Sequence, residues 1–388
     1  MNPLPWGTLT GIRPAKVAQK LLASGKSERE TIQKLIKTYK ADPGRAALCT
    51  ETAQKTLAFS ETLKPKDIAL YIGIPFCPSR CTYCSFVSNN VTRSFNLVEP
   101  FIETLLNEID TIAKLTRELG LNIVAVYMGG GTPTALTDAV LEVVMASLNK
   151  SFDLSNLREY TVEAGRPDTI TETNLNIMIR EGATRISINP QSMRDEVLSA
   201  IGRKHSAADV YTAVKNVRKT DLALNMDIIA GLPCDTPSGF AETLDTVIKY
   251  DPENITVHTL SLKKGSRIML EGTDIPSGEA VGEMLDYASC KLRESAYSPY
   301  YVYRQKYITG GYENIGWSVP GHEGVYNISM MEEMCTVLAV GGGGVTKLVM
   351  TDGRIERIFN AKYPREYILM TEKIKDKVGR IKENAISI

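Results

Sequence analysis

Short apolar runs alternate with longer helical patterns through the middle of this 388-residue chain. The runs are rich in β-branched residues and predict strands at 68–74, 123–128, 159–163, 185–189, 224–230 and 254–259. Apolar residues at three- and four-residue spacing predict helices between them, for example at 98–119, 138–148 and 206–219. Strands that alternate with helices form right-handed βαβ crossovers and a parallel sheet. Six such units predict an α/β fold, a partial (β/α)6 TIM-type barrel that carries its chemistry at the carboxyl ends of the strands.

The pattern changes on either side of these units and predicts three parts. They are a helical N-terminal segment at 1–65, the barrel core at 66–295, and a small α+β C-terminal cap at 296–388. We expect the cap to close the open side of the barrel. Within it, 330–339 predict a helix. Thr351-Asp352-Gly353 is a hairpin turn signal, and the apolar runs that flank it, 345–350 and 355–359, predict the two strands of the hairpin.

Charge and composition argue against several classes of protein. The 45 Lys and Arg residues balance the 45 Asp and Glu residues, so net charge gives no reason to expect nucleic acid or an anionic membrane surface as a partner. No apolar run approaches the ~20 residues of a membrane-spanning helix, and the first residues lack the regions of a signal peptide. Three of the seven cysteines are clustered, which fits a reducing cytoplasm. We expect a soluble, cytoplasmic protein in which the other cysteines are buried apolar side chains, namely Cys49, Cys234, Cys290 and Cys335.

The clustered cysteines, Cys77, Cys81 and Cys84, follow the first predicted strand at C-x3-C-x2-C spacing. Three thiolates on one short loop can hold three irons of a [4Fe–4S] cluster and leave the fourth iron open to another ligand. A structural zinc site normally takes four ligands from two pairs. The chain has no second C-x2-C or H-x3-H pair, and its three histidines are scattered. Zinc, or three buried thiols without metal, are the alternative interpretations.

Glycine-rich or polar sequences follow the next four predicted strands. The run Gly129-Gly130-Gly131-Thr132 would let the polar ends of a ligand approach the backbone, although a tight turn is the simpler interpretation. Asp227 lies inside an apolar strand, where an unpaired carboxylate is unfavourable, so we expect a polar partner for it. Glu163 ends the third strand and could bind a ligand or be a solvated acid. Gln191 and Arg203 offer an amide and a guanidinium at the fourth strand and the loop that follows.

These motifs resemble those of the radical S-adenosylmethionine (SAM) superfamily, in the cysteine spacing and in the aromatic Tyr83 before the last cysteine. The resemblance implies a [4Fe–4S] cluster on the three cysteines, whose open iron is chelated by the amino and carboxylate groups of SAM. An electron from the reduced cluster would then break the sulfonium C–S bond. It also implies catalytic roles for Tyr71 and Glu163, and a wider set of residues that bind SAM: Tyr71, Gly129, Gly130, Gly131, Thr132, Glu163, Gln191, Arg203 and Asp227.

The order of the blocks along the chain resembles one branch of that superfamily, the oxygen-independent coproporphyrinogen III oxidases, also called coproporphyrinogen dehydrogenases. The blocks are the YIGIPFC segment from Tyr71, then GGGTPT, RISINPQS, GRKHS and NMDIIAGLP. Three further blocks resemble a divergent second type of that family: GIRPAK from Gly11, VHTL from Val257, and YRQK from Tyr303. One departure is Gly73, which stands where the characterised enzymes have a histidine and so removes an imidazole from beside the cluster.

This resemblance implies oxidative decarboxylation of two propionate side chains of coproporphyrinogen III to vinyl groups. The 5′-deoxyadenosyl radical would take a hydrogen atom from the propionate β-carbon, and loss of CO2 and one electron would leave the vinyl group. The implied partners are a tetrapyrrole, coproporphyrinogen III or haem, and a reduced flavodoxin or ferredoxin-type electron donor. Candidate ligands of the substrate carboxylates are Arg13, Lys16, Arg304 and Lys306, although the first two could be surface charges at a helix start.

Aromatic residues between 300 and 326 predict a far wall of the pocket that matches a flat macrocycle, or else simply the packing of the cap on the barrel. Two other functions remain open at this point. Relatives with the same cluster motif include haem-binding chaperones and radical SAM methyltransferases that open the haem ring.

Overall fold

The computed structural model describes residues 4–84, 89–263 and 265–384. The strands in this part of the chain are β1 Asp67–Ile74, β2 Phe76–Cys77, β3 Asn89–Asn90, β4 Asn122–Gly130, β5 Glu159–Glu163, β6 Arg185–Gln191, β7 Ala223–Ala230, β8 Asn254–Thr259, β9 Ser298–Tyr303, β10 Asn314–Ser318, β11 Thr336–Gly341, β12 Val345–Val349 and β13 Ile355–Phe359. The helices are α1 Ala15–Ala23, α2 Glu28–Tyr39, α3 Pro43–Ser60, α4 Phe95–Leu119, α5 Asp138–Ser151, α6 Glu172–Arg180, α7 Asp195–Ala200, α8 Ala207–Val217, α9 Pro237–Lys249, α10 Arg267–Glu271, α11 Gly278–Glu294, α12 Val325–Glu332, α13 Pro364–Tyr367 and α14 Thr371–Asn384.

One mixed sheet of eleven strands has the order β13-β12-β11-β1-β4-β5-β6-β7-β8-β10-β9. Its centre, from β1 through β4 to β8, consists of six neighbouring parallel strands, each pair joined by a segment that contains a helix. These are the six strands that the sequence predicts, and they confirm the partial (β/α)6 barrel. The carboxyl ends of all six strands therefore meet at one edge of the sheet, where the loops that carry the predicted motifs begin.

Strand β1 shows why the sheet has an apolar and a polar face. Alternate residues of a strand point to opposite faces. Ile68, Leu70 and Ile72 are fully buried and belong to the main apolar core, together with residues of helix α4 such as Ile109. The intervening residues, among them Tyr71, point to the other face, which is the interior of the barrel. Each fully buried aliphatic side chain contributes about 1.5–3 kcal/mol, so the outer face fixes the register of the strand.

The last third of the chain extends this same sheet at both ends. Strands β9 and β10 add to β8, and β11 pairs in parallel with β1 on the other side, with Thr336 opposite Ile68. The predicted hairpin is confirmed as β12 and β13, joined through residues 350–354. The predicted helix at 330–339 is wrong: α12 ends at Glu332, and the apolar residues that follow form the fully buried strand β11. A short buried apolar run fits either structure, and pairing with β1 decides it.

The N-terminal part of the described chain is helical, as predicted, and packs against the β9 end of the sheet through α3. Trp6 is fully buried, and its Nε1 donates a hydrogen bond of 2.7 Å to Glu313, the residue before β10. None of the helices in the described ranges is long and apolar enough to cross a membrane.

The prediction that four cysteines are buried is half right. Cys49 and Cys335 are buried. Cys234 and Cys290 are exposed, the first in the loop after β7 and the second on the outer surface of α11. An apolar sequence neighbourhood does not decide burial on an amphipathic helix or in a turn, because neighbouring residues point in different directions.

Candidate functional site

The cysteine loop leaves the carboxyl end of β1 and is held against the glycine run that ends β4. The amide of Gly131 donates a 2.7 Å hydrogen bond to the carbonyl of Ile74, and the amide of Thr132 donates another of 2.7 Å to the carbonyl of Phe76. The Cys77 Sγ and the Thr132 Oγ1 lie 3.5 Å apart. The glycine run and the first cysteine therefore form one rigid unit.

The structure gives each glycine of this run a packing reason of its own. A β-carbon on Gly131 would lie 2.7 Å from the carbonyl oxygen of Ile74, and one on Gly129 would lie 2.7 Å from the ring of Tyr127. Gly130 has φ +102°, a conformation that side chains with a β-carbon rarely adopt. The run thus lets the backbone after β1 and the ring of Tyr127 approach it closely, whether or not a ligand also contacts it.

Side chains from the next units hold the other side of the cysteine loop. Arg166, in the loop after β5, donates from Nη1 to the Oγ of Ser79 at 2.7 Å. The amide of Thr82 donates to the carbonyl of Ile201 at 3.0 Å. Arg166 is buried and was not among the predicted site residues. An arginine at the end of a barrel strand was the available signal for it.

Cys81 is buried, and Cys77 and Cys84 are partly exposed. Within residues 4–84, 89–263 and 265–384, no three Cys, His, Asp or Glu side chains converge on a position for a single metal ion. A cubic [4Fe–4S] cluster does not require such convergence, because each thiolate binds a different iron. Three thiols on one loop, one of which contacts a buried cation, suit a cluster of that kind.

That cation is Arg203, which ties the cysteine loop to β6. Its Nη1 donates to the carbonyls of Asn189 and Gly165 at 2.6 and 2.9 Å, and its Nη2 donates to the hydroxyl of Tyr83 at 3.1 Å. It also bonds to Cys81. Burial acts to lower the pKa of the Arg203 guanidinium, but Tyr83 and Cys81 outweigh it and hold that pKa above its ordinary value. The guanidinium is therefore charged and faces the cysteine loop.

A continuous row of polar side chains crosses the interior from β5 to β7. Asn189 Nδ2 donates to Glu163 Oε1 at 3.3 Å, and Ser187 Oγ donates to Asn189 Oδ1 at 2.8 Å. Asn225 Nδ2 donates both to Ser187 Oγ at 2.6 Å and to Asp227 Oδ1 at 2.8 Å. The two predicted carboxylates, Glu163 and Asp227, thus stand at the two ends of one hydrogen-bonded chain. Asp227 has the polar partner that its place in an apolar strand required.

Glu163 is the more strongly perturbed of these two acids. Burial, and next the nearby charge of Asp227, raise the pKa of Glu163 to about 7 from 4.5, although hydrogen bonds from the Gly130 amide and Tyr127 act in the other direction. A carboxyl group with that pKa exchanges a proton near neutral pH. It can accept a hydrogen bond from a ligand hydroxyl in its charged form and donate one in its neutral form.

Tyr71 takes part in an aromatic stack that fills the interior below the glycine run. Its ring stacks on Tyr127 at 6.3 Å between centroids, and Tyr127 stacks on Tyr326 of α12 at 4.6 Å. Burial raises the pKa of all three phenols, so they are neutral hydrogen-bonding groups. A β-carbon on Gly130 would lie 2.9 Å from the Tyr71 hydroxyl, so that hydroxyl is directed at the glycine run.

The buried polar atoms that have no hydrogen-bond partner within the described part of the chain include Gln191 Oε1, at the end of β6, and Arg203 Nε, after α7. Gln191 also has φ +67°, which is uncommon for a residue with a side chain. Buried polar groups are nearly always hydrogen-bonded in folded proteins. These two atoms, with Glu163 and Asp227 nearby on the same interior face, fit a ligand that offers donors, a carboxylate and hydroxyls, as SAM does.

The structure does not bring all four predicted substrate cations into this interior. Arg304 Nη1 donates to the carbonyl of Leu9 at 2.5 Å, and Nη2 donates to that of Gly311 at 3.3 Å, so the guanidinium fixes the N-terminal segment to the loop after β9. Lys306 is exposed, and its carbonyl accepts a hydrogen bond of 3.0 Å from Ser261 Oγ.

Arg13 and Lys16 pair with Glu333, at 3.1 and 2.5 Å. Glu333 follows α12 and precedes β11, whose first residue, Thr336, lies opposite Ile68 near the start of β1. The charged groups of Arg13 and Lys16 therefore lie toward the amino ends of the strands. The cysteine loop, in contrast, follows the carboxyl end of β1. In this structure both residues form structural ion pairs.

Residues of β8 and β9 complete the interior and were not predicted as site residues. His258 lies 3.5 Å from Asp227, between Nε2 and Oδ2, and Thr256 Oγ1 lies 3.5 Å from the hydroxyl of Tyr301. The ring of Tyr301 lies over Gly316, where a β-carbon would overlap it. The signal was the alternation of polar and apolar residues along β8, which places every second side chain in the interior.

Comparison with known proteins places this site in a family. The model of the radical SAM superfamily matches residues 71–247, which include the cysteine loop and the polar row. The oxygen-independent coproporphyrinogen-III oxidase-like protein HemZ of Bacillus subtilis (strain 168) is 39% identical over 369 residues, which cover 93% of this chain and 74% of that protein. The chain belongs to the family of oxygen-independent coproporphyrinogen-III oxidase-like radical SAM proteins. The family resemblance of the sequence motifs is thereby confirmed.

Other relatives of this radical SAM protein carry a different name. The heme chaperone HemW of Buchnera aphidicola subsp. Schizaphis graminum (strain Sg) is 29% identical over 239 residues, which cover 62% of each protein. The heme chaperone HemW of Escherichia coli (strain K12) is 25% identical over 307 residues, which cover 79% of this chain and 77% of that protein. The radical SAM fold is also that of coproporphyrinogen III oxidase (HemN) from Escherichia coli, with a TM-score of 0.65 and 21% identity over 83% of this chain and 73% of that one.

Proposed function

We propose that this radical SAM protein is an enzyme that converts propionate side chains of coproporphyrinogen III to vinyl groups without oxygen. The observation that carries the proposal is the position of Arg203, which joins the cysteine loop to Asn189 of the polar row between Glu163 and Asp227, next to the unpartnered Gln191 Oε1. The 39% identity to the HemZ protein over most of both chains supports a tetrapyrrole as the substrate class.

In this proposal Cys77, Cys81 and Cys84 hold a [4Fe–4S] cluster and the strand ends hold SAM. Bound together, and reduced by a flavodoxin or ferredoxin-type donor, these groups supply the radical that removes a hydrogen atom from the propionate β-carbon. Arg203 stabilises the negative thiolates with its charge and offers Nε to the SAM carboxylate. Gln191 offers Oε1 to a ligand donor.

The remaining residues of the row orient the ligand and keep water out. Glu163 and Asp227 accept hydrogen bonds from ligand hydroxyls, and their spacing along the row is fixed by Asn189, Ser187 and Asn225. An apolar cluster around Ile229, Leu260 and the ring of Tyr83 covers the side of the interior next to the cysteine loop. This cover matters because a carbon radical must meet the substrate before it meets other C–H or S–H hydrogen donors.

A second function, haem binding as a chaperone, has one observation in its favour. Gly73 stands where characterised dehydrogenases have a histidine, and the backbone of Gly342 occupies the space that a side chain there would need. Proteins named heme chaperone also match much of the chain. The interior therefore lacks an imidazole that those enzymes carry beside the cluster.

One anaerobic experiment separates these functions. The protein is reconstituted with iron and sulfide and given SAM, reductant and coproporphyrinogen III, and the products are identified by mass spectrometry. The proposed enzyme yields 5′-deoxyadenosine together with mono- and divinyl products, and a Cys81→Ala variant yields neither. Stable haem binding without 5′-deoxyadenosine would instead identify a chaperone. Methyl transfer to the tetrapyrrole, or opening of its ring when haem is the substrate, would identify a radical methyltransferase.

A further inference from the structure

His258 is the histidine whose side chain faces the interior of the barrel. It alternates on β8 with Ile255 and Val257, which are fully buried in the outer apolar core, so its imidazole points to the opposite face. The side chain is 27% exposed. The other two histidines differ: the side chain of His205 is fully enclosed behind the cysteine loop, and His322 is exposed before α12.

Asp227 and the strand β8 fix the direction of this imidazole. Its Nε2 lies 3.5 Å from Asp227 Oδ2, and the other oxygen of that carboxylate is held by Asn225 at 2.8 Å. Within the described ranges no protein group forms a hydrogen bond with the other ring nitrogen, Nδ1. A histidine oriented by a carboxylate on one nitrogen presents the other to a ligand.

The interior next to His258 belongs to the substrate half of the site. The cysteine loop, Gln191 and Arg203 come from earlier units of the barrel, whereas β8, β10 and β9 continue the sheet away from them. That continuation contributes Tyr301 and Tyr303, whose rings stack at 6.2 Å. Aromatic faces on β9 and an imidazole on β8, with β10 between the two strands, suit the pyrrole rings of a tetrapyrrole that carries acidic side chains.

We propose that His258 binds a propionate carboxylate of the tetrapyrrole and selects substrates that carry a free carboxylate there. This inference rests on the proposed function, from which it takes the substrate class. Three of the four predicted substrate cations are already held: Arg304 by backbone carbonyls, and Arg13 and Lys16 by Glu333. The fourth, Lys306, is exposed, so His258 is a ligand for the carboxylate on the interior face itself. A protonated imidazole donates from both nitrogens, so it can bind Asp227 and a substrate carboxylate at once.

The test is a binding experiment that needs no turnover. Coproporphyrin III, the stable oxidised tetra-acid, and its tetramethyl ester are titrated into the reconstituted protein, and binding is followed by porphyrin fluorescence. We expect His258→Ala to lower affinity for the tetra-acid about tenfold and to leave affinity for the ester unchanged, because the ester lacks the charged acceptor. His258→Gln should keep part of the affinity for the acid, since its amide still donates. His322→Ala, which removes an exposed imidazole, is the matched control and should change neither affinity.

Equal losses for the acid and the ester would overturn the proposal, because they would indicate a change of shape or fold. A loss confined to haem, with iron-free coproporphyrin unaffected, would overturn it in favour of an iron ligand. Failure of the proposed reaction gives a different result. If the wild-type protein binds the tetra-acid through His258 but never forms a vinyl product, the carboxylate role stands and the decarboxylase assignment fails.

Discussion

The amide of Gly342 donates a 3.0 Å hydrogen bond to the carbonyl of Gly73, one residue before the end of β1. A β-carbon on Gly73 would overlap the carbonyl oxygen of Gly342, and one on Gly341 would lie 2.9 Å from the Gly73 nitrogen. Gly341 has φ +87°. The four-glycine run 341–344 therefore fills the space beside the cysteine loop with backbone, where the resembling enzymes have an imidazole.

Gly73→Ala should lower the free energy of unfolding by about 1–3 kcal/mol, because the methyl group would push apart two backbone segments that are in contact. Urea unfolding measures the change. Gly379→Ala in α14 is the control: a β-carbon there meets nothing within 4 Å, so we expect no loss and up to about 1 kcal/mol of gain. Equal stability of Gly73→Ala and the wild type would mean that the glycine run can move away.

The sequence predicts the six central strands because their signals are local: β-branched runs, helical spacing and the turns between them. It does not predict that Thr336–Gly341 pairs with β1, since that partner lies more than 260 residues earlier and is chosen by burial in the assembled sheet. The need for glycine at Gly73 and in the run 341–344 has one cause, which is the close approach of these two backbone segments in space. That approach cannot be predicted from either segment alone.

The candidate site also contains residues that the sequence predicts and residues whose contacts depend on the folded chain. Cys77 and Glu163 follow from motifs at strand ends, and Asp227 follows from a carboxylate inside an apolar strand. The contacts of Arg304 could not be predicted, because they depend on where the N-terminal segment folds back onto the loop after β9. The alternation along β8 is sufficient to place the His258 side chain on the interior face, because alternate residues of a strand point to opposite faces.

Lys377→Met should destabilise the protein by about 3–5 kcal/mol. Lys377 of α14 and Glu108 of α4 are 2% and 0% exposed and lie 2.9 Å apart, and Glu108 also accepts a hydrogen bond of 2.8 Å from the amide of Gly341. Removal of the lysine leaves a buried carboxylate without its cation. Lys382→Met is the matched control, because its 2.7 Å pair with Glu118 joins the same two helices at the surface and should contribute at most about 1 kcal/mol. Similar losses in both variants would show that helix packing, and not the buried charge, determines the effect.

Replacement of Cys77, Cys81 or Cys84 by alanine should abolish iron binding after anaerobic reconstitution, whereas the wild type should bind about four irons. Iron and sulfide content and the broad visible absorption of iron–sulfur charge transfer measure this. Cys234→Ala and Cys290→Ala are controls for exposed cysteines outside the loop and should keep the full iron content. Stoichiometric zinc without that absorption would contradict a cluster.

Glu163→Gln should stabilise the SAM-free protein at alkaline pH and have little effect in acid. The folded-state pKa of Glu163, about 7, lies above its ordinary value of 4.5, so the folded protein binds this proton more tightly than the unfolded chain does. The contribution of this proton to folding stability is complete below pH 4.5 and is lost as the pH rises through about 7. Above that pH the buried carboxylate is charged and unfavourable. We expect the unfolding free energy of the variant to exceed that of the wild type by an amount that grows across this window to about 1–3 kcal/mol. This range is smaller than the full pKa shift implies, because the Glu163 side chain is partly exposed. A stability difference that does not change between pH 4 and pH 8 would be inconsistent with the raised pKa.

Gln191→Leu should change stability and SAM affinity in opposite directions. In the SAM-free protein Gln191 Oε1 is buried without a partner in the described part of the chain, so a leucine removes an unsatisfied polar atom and should leave the unfolding free energy unchanged or higher. If that atom instead binds SAM when the ligand is present, its loss should weaken SAM binding by about 1–2 kcal/mol.

Equilibrium dialysis with the reconstituted protein and urea unfolding without SAM provide the two measurements, and iron content confirms that the cluster is retained. Gln54→Leu, on the exposed face of α3, should change neither quantity. Unchanged SAM affinity in Gln191→Leu would exclude this residue from the SAM site, and lower stability would mean that its side chain already has a structural partner.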